Sequence, residues 1–159
     1  MVPDEPPWLH ERGLRIAASI LAGHQRLFGR PLLAGSDTWS ARQAAQELFA
    51  SMAVVLAHDG GADPRLIYAN AAALRLWDRP WASMVGMPSR LTAEPVERQA
   101  RRVALELARQ REAIANYAGV RVNRHGRRFR IEGARLWTLQ EGPGQPLGQA
   151  ACFESWWWL

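Results

Sequence analysis

The fold is decided by residues 66–91, which read LIYANAAALRLWDRPWASMVGMPSRL. The first four residues are apolar, with β-branched and aromatic members, and they favour an extended strand. Asn70 follows, and its side-chain carbonyl can accept a backbone N–H at the start of a helix over Ala71–Trp77. Pro80 then opens a short turn of helix, which Gly86 closes. The segment therefore predicts a strand that leads almost directly into two short helices.

Apolar and turn-forming patterns predict four further strands around this segment. Turn formers are concentrated in residues 59–64, in residues 124–127 and in residues 141–146, the last of which contain two Gly and two Pro. Gly133 predicts a bulge within the longest strand. The five predicted strands cover residues 53–57, 65–69, 117–123, 128–139 and 147–157. Antiparallel strands with helices inserted between the second and the third belong to the α+β class.

Two helices are predicted ahead of the sheet. Apolar residues recur at helical spacing over residues 8–28, and a second helix starts after one of three candidate caps, Asp37, Thr38 or Ser40. The apolar faces of these helices either cover the sheet or pair with another copy of the chain. We favour packing on the same chain.

A long helix is predicted between the second and third strands. Thr92 is its candidate cap, and the helix runs to about Ala115. The side chains predicted to face the core are those of Val96, Val103, Leu107 and Ile114.

This order of elements resembles the PAS family. The second strand and first core helix of that family carry the pattern Y-x-N-x-A-A, which occurs here as Tyr68, Asn70, Ala72 and Ala73. The chain resembles the MEKHLA domain more specifically. That resemblance rests on motifs in a fixed order, which are His58 and Trp137 together with residues 63–70, 88–91, 117–122, 126–132 and 148–151.

The MEKHLA domain is a PAS-like module that is known as a small stand-alone bacterial protein and as the C-terminal part of certain plant homeodomain transcription factors. The resemblance covers roughly residues 10–156 and is to the stand-alone bacterial type. It implies a PAS-like fold and a ligand-sensing role. It implies no reaction, because the family is better known by sequence than by function.

The composition suits one compact unit in a reducing compartment. At 159 residues the chain can bury a real core, and we divide it into a helical extension over residues 1–52, packed on the core, and a PAS-like domain over residues 53–159. The single cysteine, Cys152, excludes an intramolecular disulfide and a zinc site built from several cysteines. No secretory signal or long apolar run is visible, so we expect a cytoplasmic protein that does not enter the membrane.

Positive charge is concentrated in one part of the chain. Residues 96–135 contain eleven Arg against four Glu, whereas the rest of the chain is close to neutral. Such a segment could contact nucleic acid or another anionic partner. We favour an ordinary solvated helix face and hairpin, because no helix-turn-helix, zinc-finger or aromatic RNA-binding motif accompanies the charge.

A curved sheet covered by helices leaves room for a pocket with apolar walls and a few polar groups. Eight residues are candidates for contact with a small-molecule ligand, namely Tyr68, Trp77, Trp81, Tyr117, Arg121, Phe129, Trp137 and Gln149. The alternative is that the aromatic side chains simply fill the core. If Arg121 faces the pocket, it requires a carboxylate or an anionic ligand, because an unpaired buried guanidinium is too costly.

No prosthetic group, metal or catalytic site is predicted. Photochemical flavin-binding relatives carry an adduct-forming cysteine on a helix, whereas Cys152 lies on the last predicted strand. Haem-binding relatives use a histidine on the long helix, and residues 96–115 contain none. The four His residues are scattered without metal-ligand spacing. An isomerase-like α+β cone is the catalytic alternative, but the candidate acids lie in turn-like contexts, which is typical of Asp59, Asp63 and Asp78.

The sequence therefore predicts a PAS-like sensory domain that binds a small apolar or weakly acidic molecule and acts through protein association. The partner would be a second copy of the chain, forming a homodimer, or a separate signalling protein. The aromatic tail, Trp156–Trp158, is a candidate contact surface together with the N-terminal helices, unless the tail closes over the core. The main alternative is a non-catalytic interaction or dimerisation module with a filled core.

Overall fold

The computed structural model describes residues 4–159. Within them, antiparallel strands form one sheet in the order β2-β1-β5-β4-β3, and β6 pairs with β4 off this path. The strands are β1 (Val54–Asp59), β2 (Leu66–Ala69), β3 (Ala113–Val122), β4 (Arg128–Gly142), β5 (Gln145–Phe153) and β6 (Ser155–Trp158). An antiparallel sheet with helices inserted between its second and third strands confirms the predicted α+β, PAS-like fold.

Two helices precede the sheet and three lie between its second and third strands. They are α1 (Glu11–Phe28), α2 (Ala41–Ala50), α3 (Ala71–Trp77), α4 (Trp81–Met84) and α5 (Arg98–Arg111). Ser40 is the cap of α2, because its Oγ accepts the backbone N–H of Gln43 at 3.1 Å. Short 3₁₀ turns at Ser89–Thr92 and Pro95–Glu97 lead the chain from α4 into α5.

Asn70 joins three elements at the point where the deciding segment turns from strand into helix. It is fully buried, and its Oδ1 accepts the backbone N–H groups of Val55 at 3.0 Å and Ala73 at 3.2 Å. Its Nδ2 donates to the carbonyls of Ala53 at 2.7 Å and Leu48 at 3.2 Å. One side chain thus caps α3 and also holds the start of β1 and the end of α2.

The sheet has one more strand than the sequence predicts. The predicted last strand breaks at Glu154, which is in a bend, and β6 then pairs with the first half of β4. Trp156 and Trp158 lie against Phe129, with ring centroids 6.0 and 5.7 Å away, whereas Trp157 is exposed. The break lets the end of the chain cover Phe129, so the tail closes over the core of its own chain.

The long helix is shorter than predicted, and it presents a different face to the sheet. It starts at Arg98 and ends at Arg111, so that Ile114 already belongs to β3. Val96 and Val103 were predicted to face the core, but they are 80% and 58% exposed. The buried helix residues are Ala104 and Ala108, whose small side chains let the helix lie close to the sheet.

The two faces of the sheet support two separate apolar clusters. On one face α1 and α2 bring Ile16, Ile20 and Leu48 against sheet residues that include Val55 and Trp137. The indole Nε1 of Trp137 donates to the carbonyl of Ile20 at 3.2 Å and fixes α1 on the sheet. Because side chains alternate along a strand, the neighbouring residues face the other side.

The second cluster lies between the opposite face of the sheet and α3. Trp77 is its centre, with its ring centroid 5.1 Å from Phe129 and 6.3 Å from Phe153 in edge-to-face arrangements. Toward α5 this cluster gives way to polar side chains, and the space between the helix and the sheet is not filled by apolar groups alone. Among the helices of residues 4–159, none is both long and apolar enough to cross a membrane.

Candidate functional site

A cavity of about 60 Å³, partly open to solvent, lies between the sheet, α3 and α5. The cavity is small, since a cavity that binds a ring of six carbon atoms measures about 150 Å³. Its apolar walls come from Leu56, Leu66, Trp77, Leu105, Ile131, Ala134, Leu136 and Phe153. Its polar side chains belong to His58, Ser89, Thr92, Arg101, Tyr117, Arg121 and Gln149.

Arg121 reaches the cavity from β3. Tyr117, Gly119 and Arg121 are every second residue of the strand and therefore lie on the same face of the sheet. Arg121 is only 8% exposed, and its guanidinium donates to the Val120 carbonyl at 2.9 Å and to the Tyr117 hydroxyl at 3.1 Å. A Cβ on Gly119 would lie 2.9 Å from Tyr117 Oη and 3.0 Å from Arg121 Nη1, so glycine leaves the space these two groups occupy.

Arg101 reaches the same cavity from α5. Its Nη2 donates to Ser89 Oγ at 2.7 Å, and Ser89 is itself held by the Thr92 hydroxyl, which donates to its carbonyl at 2.8 Å. Burial and the neighbouring Arg121 charge lower the pKa of Arg101 to about 10. At neutral pH the Arg101 guanidinium is still a cation, and its lowered pKa means that its surroundings disfavour the positive charge.

The cavity lining contains two guanidinium groups and no carboxylate. The hydrogen-bond partners of Arg101 and Arg121 within residues 4–159 are a hydroxyl, a phenol and a backbone carbonyl, all neutral. Arg121 is buried and Arg101 is partly buried, and removing a charge from water without a counter-charge is costly, a cost that hydrogen bonds to neutral groups offset only in part. The arrangement therefore suits a negatively charged group placed between the two arginines.

His58 supplies a third polar group, from β1. Its Nδ1 lies 2.7 Å from the carbonyl oxygen of Asp59, so Nδ1 carries the proton and donates it. Its Nε2 is buried and has no hydrogen-bond partner within the described part of the chain. Burial lowers the pKa of His58, and the nearby Arg101 charge lowers it further. The imidazole is thus neutral at pH 7, with an acceptor lone pair on Nε2.

Four of the eight candidate residues line the cavity, namely Trp77, Tyr117, Arg121 and Gln149. Trp77 is held by its Nε1, which donates to the Thr92 carbonyl at 3.4 Å. Gln149 donates from its side-chain amide to the Leu105 carbonyl at 2.9 Å, which ties β5 to α5.

The other four candidates lie outside the cavity lining. Trp137 and Tyr68 belong to the cluster under α1, on the opposite face of the sheet, and Trp81 packs edge-on against Tyr68 at 5.7 Å. Phe129 lies beside the cavity but is covered by Trp77 and the tail. Strand alternation places Tyr68 and Trp137 on the opposite face and Trp81 lies on α4, and residue type alone does not reveal such placements.

Four polar lining residues were not among the candidates, and they are His58, Ser89, Thr92 and Arg101. A signal for Arg101 exists in the sequence. It precedes Leu105 and Ala108 by four and seven residues, which is the spacing of one helix face. His58 lies two residues after Leu56 along β1, so the two side chains face the same side of the sheet.

Cys152 takes no part in this cavity. It lies in the cluster under α1, and its thiol accepts a long hydrogen bond of 3.7 Å from Arg135. Burial raises the pKa of the Cys152 thiol to about 11, which keeps it protonated and unreactive. Within residues 4–159 no three His, Cys, Asp or Glu side chains form a group that could hold a metal ion.

An antiparallel sheet with helices inserted between its second and third strands defines a PAS-like fold, and solved structures show the same fold. The PAS domain of a protein from Colwellia psychrerythraea is 13% identical with a TM-score of 0.62, over 70% of this chain and 92% of that domain. An RNA-binding light-oxygen-voltage receptor is 19% identical with a TM-score of 0.62, over 78% of this chain and 35% of the receptor.

A light-oxygen-voltage domain studied with a flavin analogue is also similar, with 15% identity and a TM-score of 0.57 over 79% of this chain and 88% of that one. These identities are low, so the likeness concerns the fold alone. A comparison with curated proteins finds no match. The MEKHLA domain model matches residues 14–158, which is nearly the whole chain. The chain belongs to the MEKHLA domain family.

Proposed function

We propose that this domain is a sensory module that binds a small organic anion in the cavity between the sheet and α5. The observation that carries the proposal is the pair of guanidinium groups, Arg101 and Arg121, in a lining that contains no carboxylate. Their mutual repulsion contributes to the lowered pKa of Arg101. A bound anion would offset both this repulsion and the cost of burying the two charges.

The size and walls of the cavity narrow the ligand to a short-chain carboxylate. The volume of about 60 Å³ favours the shortest carboxylates, since a cavity that binds a ring of six carbon atoms measures about 150 Å³. A carboxylate would occupy the space near the arginines, and a short carbon chain would contact apolar walls such as Leu136 and Ile131. The ligand is thus small and weakly acidic, with an apolar part.

A module with a filled core is the alternative, and the two arginines argue against it. A core that serves packing alone gains nothing from buried cations, because apolar residues of the same size pack without the desolvation cost. Functional sites are the places where such unfavourable groups are retained. The role proposed for the cavity is one of binding rather than catalysis.

We further propose that α5 transmits occupancy of the cavity to a protein partner. Its inner face carries Arg101 and Leu105, which line the cavity, and its outer face carries Val103, which is 58% exposed. An anion that draws Arg101 toward Arg121 would shift this helix and change what its outer face presents. The partner would be a second copy of the chain or a separate signalling protein.

Calorimetry with an acid and its amide tests the anion-binding proposal. Propionate and propionamide have the same size and shape, but only propionate is charged at pH 7. We expect propionate to bind and propionamide to bind at least about tenfold more weakly, because a charge-assisted contact to the arginines is lost.

Two variants of α5 provide the matched control. Arg101→Met should abolish propionate binding, whereas Arg102→Met should leave it unchanged, because Arg102 is exposed and bonded only to Gln99. Equal binding of acid and amide, or equal loss in both variants, would contradict the proposal.

A further inference from the structure

We propose that the ligand is a short hydroxy acid of two or three carbons, recognised through its carboxylate by Arg101 and Arg121 and through its hydroxyl by His58. This inference rests on the anion-binding function proposed above and deepens it. It starts from an observation that the arginines do not explain, which is that the buried Nε2 of His58 has no hydrogen-bond partner among residues 4–159.

The hydrogen bonding of His58 through Nδ1 determines the kind of hydrogen bond that Nε2 can form. Nδ1 donates to the Asp59 carbonyl at 2.7 Å, which leaves Nε2 as an acceptor in the neutral ring. A carboxylate has no hydrogen to donate at neutral pH, so a simple carboxylic acid would satisfy the arginines and leave Nε2 unpaired. A ligand that brings an O–H or N–H group in addition to its negative charge would satisfy Nε2 directly.

The charges around the site distinguish between these two donors. Arg101 lies close enough to His58 for its positive charge to oppose protonation of the imidazole. An amino acid would bring an ammonium group into the same surroundings, next to two guanidinium groups, and like charges at short range repel. A hydroxyl is neutral and donates equally well, so a hydroxy acid fits and an amino acid does not.

The volume of the cavity favours a short acid. It is about 60 Å³, whereas a cavity that binds a ring of six carbon atoms measures about 150 Å³. Acids of two or three carbons are the shortest hydroxy acids. In the three-carbon acids the remaining carbon would face the apolar walls that Leu56 and Leu136 provide. We expect longer hydroxy acids to bind more weakly.

The test is isothermal calorimetry of the full chain with lactate, propionate and alanine at pH 7. Lactate differs from propionate by one hydroxyl, and alanine carries an ammonium group at the same position. We expect at least one lactate enantiomer to bind at least about tenfold more tightly than propionate, and alanine to bind more weakly than propionate. Sites that hydrogen-bond a substrate hydroxyl discriminate in this way because the unpaired protein group is costly.

A variant at His58 assigns the preference to its residue. In His58→Leu the preference of lactate over propionate should disappear while propionate still binds, because the arginines are retained. His125→Leu is the control, since His125 is an exposed histidine whose Nε2 is bonded to Asp78. That variant should keep the preference for lactate.

The possible failures are distinguishable. Equal affinity for lactate and propionate in the wild-type protein would overturn the hydroxy-acid inference and leave anion binding intact. Alanine that binds as tightly as lactate would overturn it as well, because the argument from charge would then be wrong. Absence of binding by both lactate and propionate would overturn the anion-binding function together with this inference.

Discussion

Arg101 is the residue at which stability and binding oppose each other. Its guanidinium is held in the protein by neutral Ser89 and stands near a second cation, Arg121. Arg101 is partly buried, and replacing such a charge, which has no counter-charge, with an apolar side chain of similar length removes part of a desolvation cost. We expect Arg101→Met to raise the free energy of unfolding of the ligand-free protein by about 1 kcal/mol, measured by urea denaturation.

The exposed neighbour again serves as the control. Arg102→Met should change the free energy of unfolding by less than about 0.5 kcal/mol. If Arg101→Met instead destabilises the ligand-free protein by as much as a core truncation does, Arg101 is a structural residue and the binding account loses its main support.

A substitution at Gly119 should change the geometry of the site and have little effect on the stability of the fold. A methyl group there would lie 2.9 Å from Tyr117 Oη and 3.0 Å from Arg121 Nη1, and both side chains must then move. We expect Gly119→Ala to weaken propionate binding by about tenfold, with a loss of unfolding free energy below about 1 kcal/mol. The two effects are measured by calorimetry and by urea denaturation.

A second glycine should show the opposite result. Gly126 lies in the turn before β4 with φ +77° and open space around its Cα. Gly126→Ala should therefore reduce stability by about 1 kcal/mol through backbone strain and leave binding unchanged. An equal effect of the two substitutions on binding would contradict the assignment of the site.

At the scale of elements, Asn70 is the strongest link between helices and sheet. Asn70→Ala removes the cap of α3 and leaves the buried backbone groups of Val55 and Ala53 without their partners. We expect a loss of about 2–4 kcal/mol in the free energy of unfolding, since each orphaned buried group costs about 1–3 kcal/mol. Urea denaturation measures the loss.

Asn123 is the matched comparison for Asn70. Its Oδ1 also accepts two backbone N–H groups, from His125 and Arg127, but at an exposed turn. Water can replace these hydrogen bonds, so Asn123→Ala should cost no more than about 1 kcal/mol. Similar losses in the two variants would show that the burial of Asn70 is not what makes it important.

The docking of α1 should make stability depend on pH. His24 is fully buried on α1, with Nδ1 donating to the Arg30 carbonyl at 3.0 Å and Nε2 accepting from Arg135 at 2.8 Å. Burial lowers the pKa of His24, and the charges of Arg135 and Arg30 lower it further. The folded protein therefore binds a proton at His24 less readily than the unfolded chain does.

The sign of the effect follows from proton linkage. The unfolded chain binds a proton at His24 near the ordinary pKa of 6.5, so stability is lost as the pH falls below that value toward the lowered pKa. The slope is at most about 1.4 kcal/mol per pH unit for this group, and His58 contributes in the same direction. His24→Gln should reduce the slope between pH 6.5 and 5, measured by urea denaturation. An unchanged slope would mean that His24 titrates freely in the folded protein.

At the scale of the whole molecule, the arginines of the positively charged residues 96–135 lie in two different environments. Some of the exposed arginines pair with acids, as Arg109 does with Glu106 and Arg128 with Glu94, and these surface pairs contribute little to stability. Arg101 and Arg121 come from the same segment but line the cavity. Part of the charge excess thus lies inside the domain, which neither the solvated-face nor the nucleic-acid interpretation anticipated.

The fold could be predicted because its signals are local. The strand and cap at Asn70 and the Gly-rich turns appear in the sequence at the positions where the structure needs them. The inward face of α5 could not be predicted, because Val103 and Leu107 repeat at the same spacing as Ala104 and Ala108. Only the close approach of the helix to the sheet decides that the small residues face inward.

Half of the site could be predicted for the same reason. Tyr117 and Arg121 are four residues apart on one strand, so their side chains face the same side of the sheet, and this spacing is visible in the sequence. Which face of the sheet Trp137 occupies depends instead on pairing across strands, including irregular register in β3 between Ile114 and Gly119. Long-range register of this kind leaves no local trace in a single sequence.

The central claim is that Arg101 and Arg121 together bind a small carboxylate inside the domain. The most direct test is an NMR titration that follows the side-chain Nε–H signals of the arginines while lactate is added at constant ionic strength. The account predicts that the signals of Arg101 and Arg121 shift together and saturate with one affinity, while that of exposed Arg102 stays in place. Weak, non-saturating shifts of all three signals, or no shift of the two cavity arginines, would contradict it.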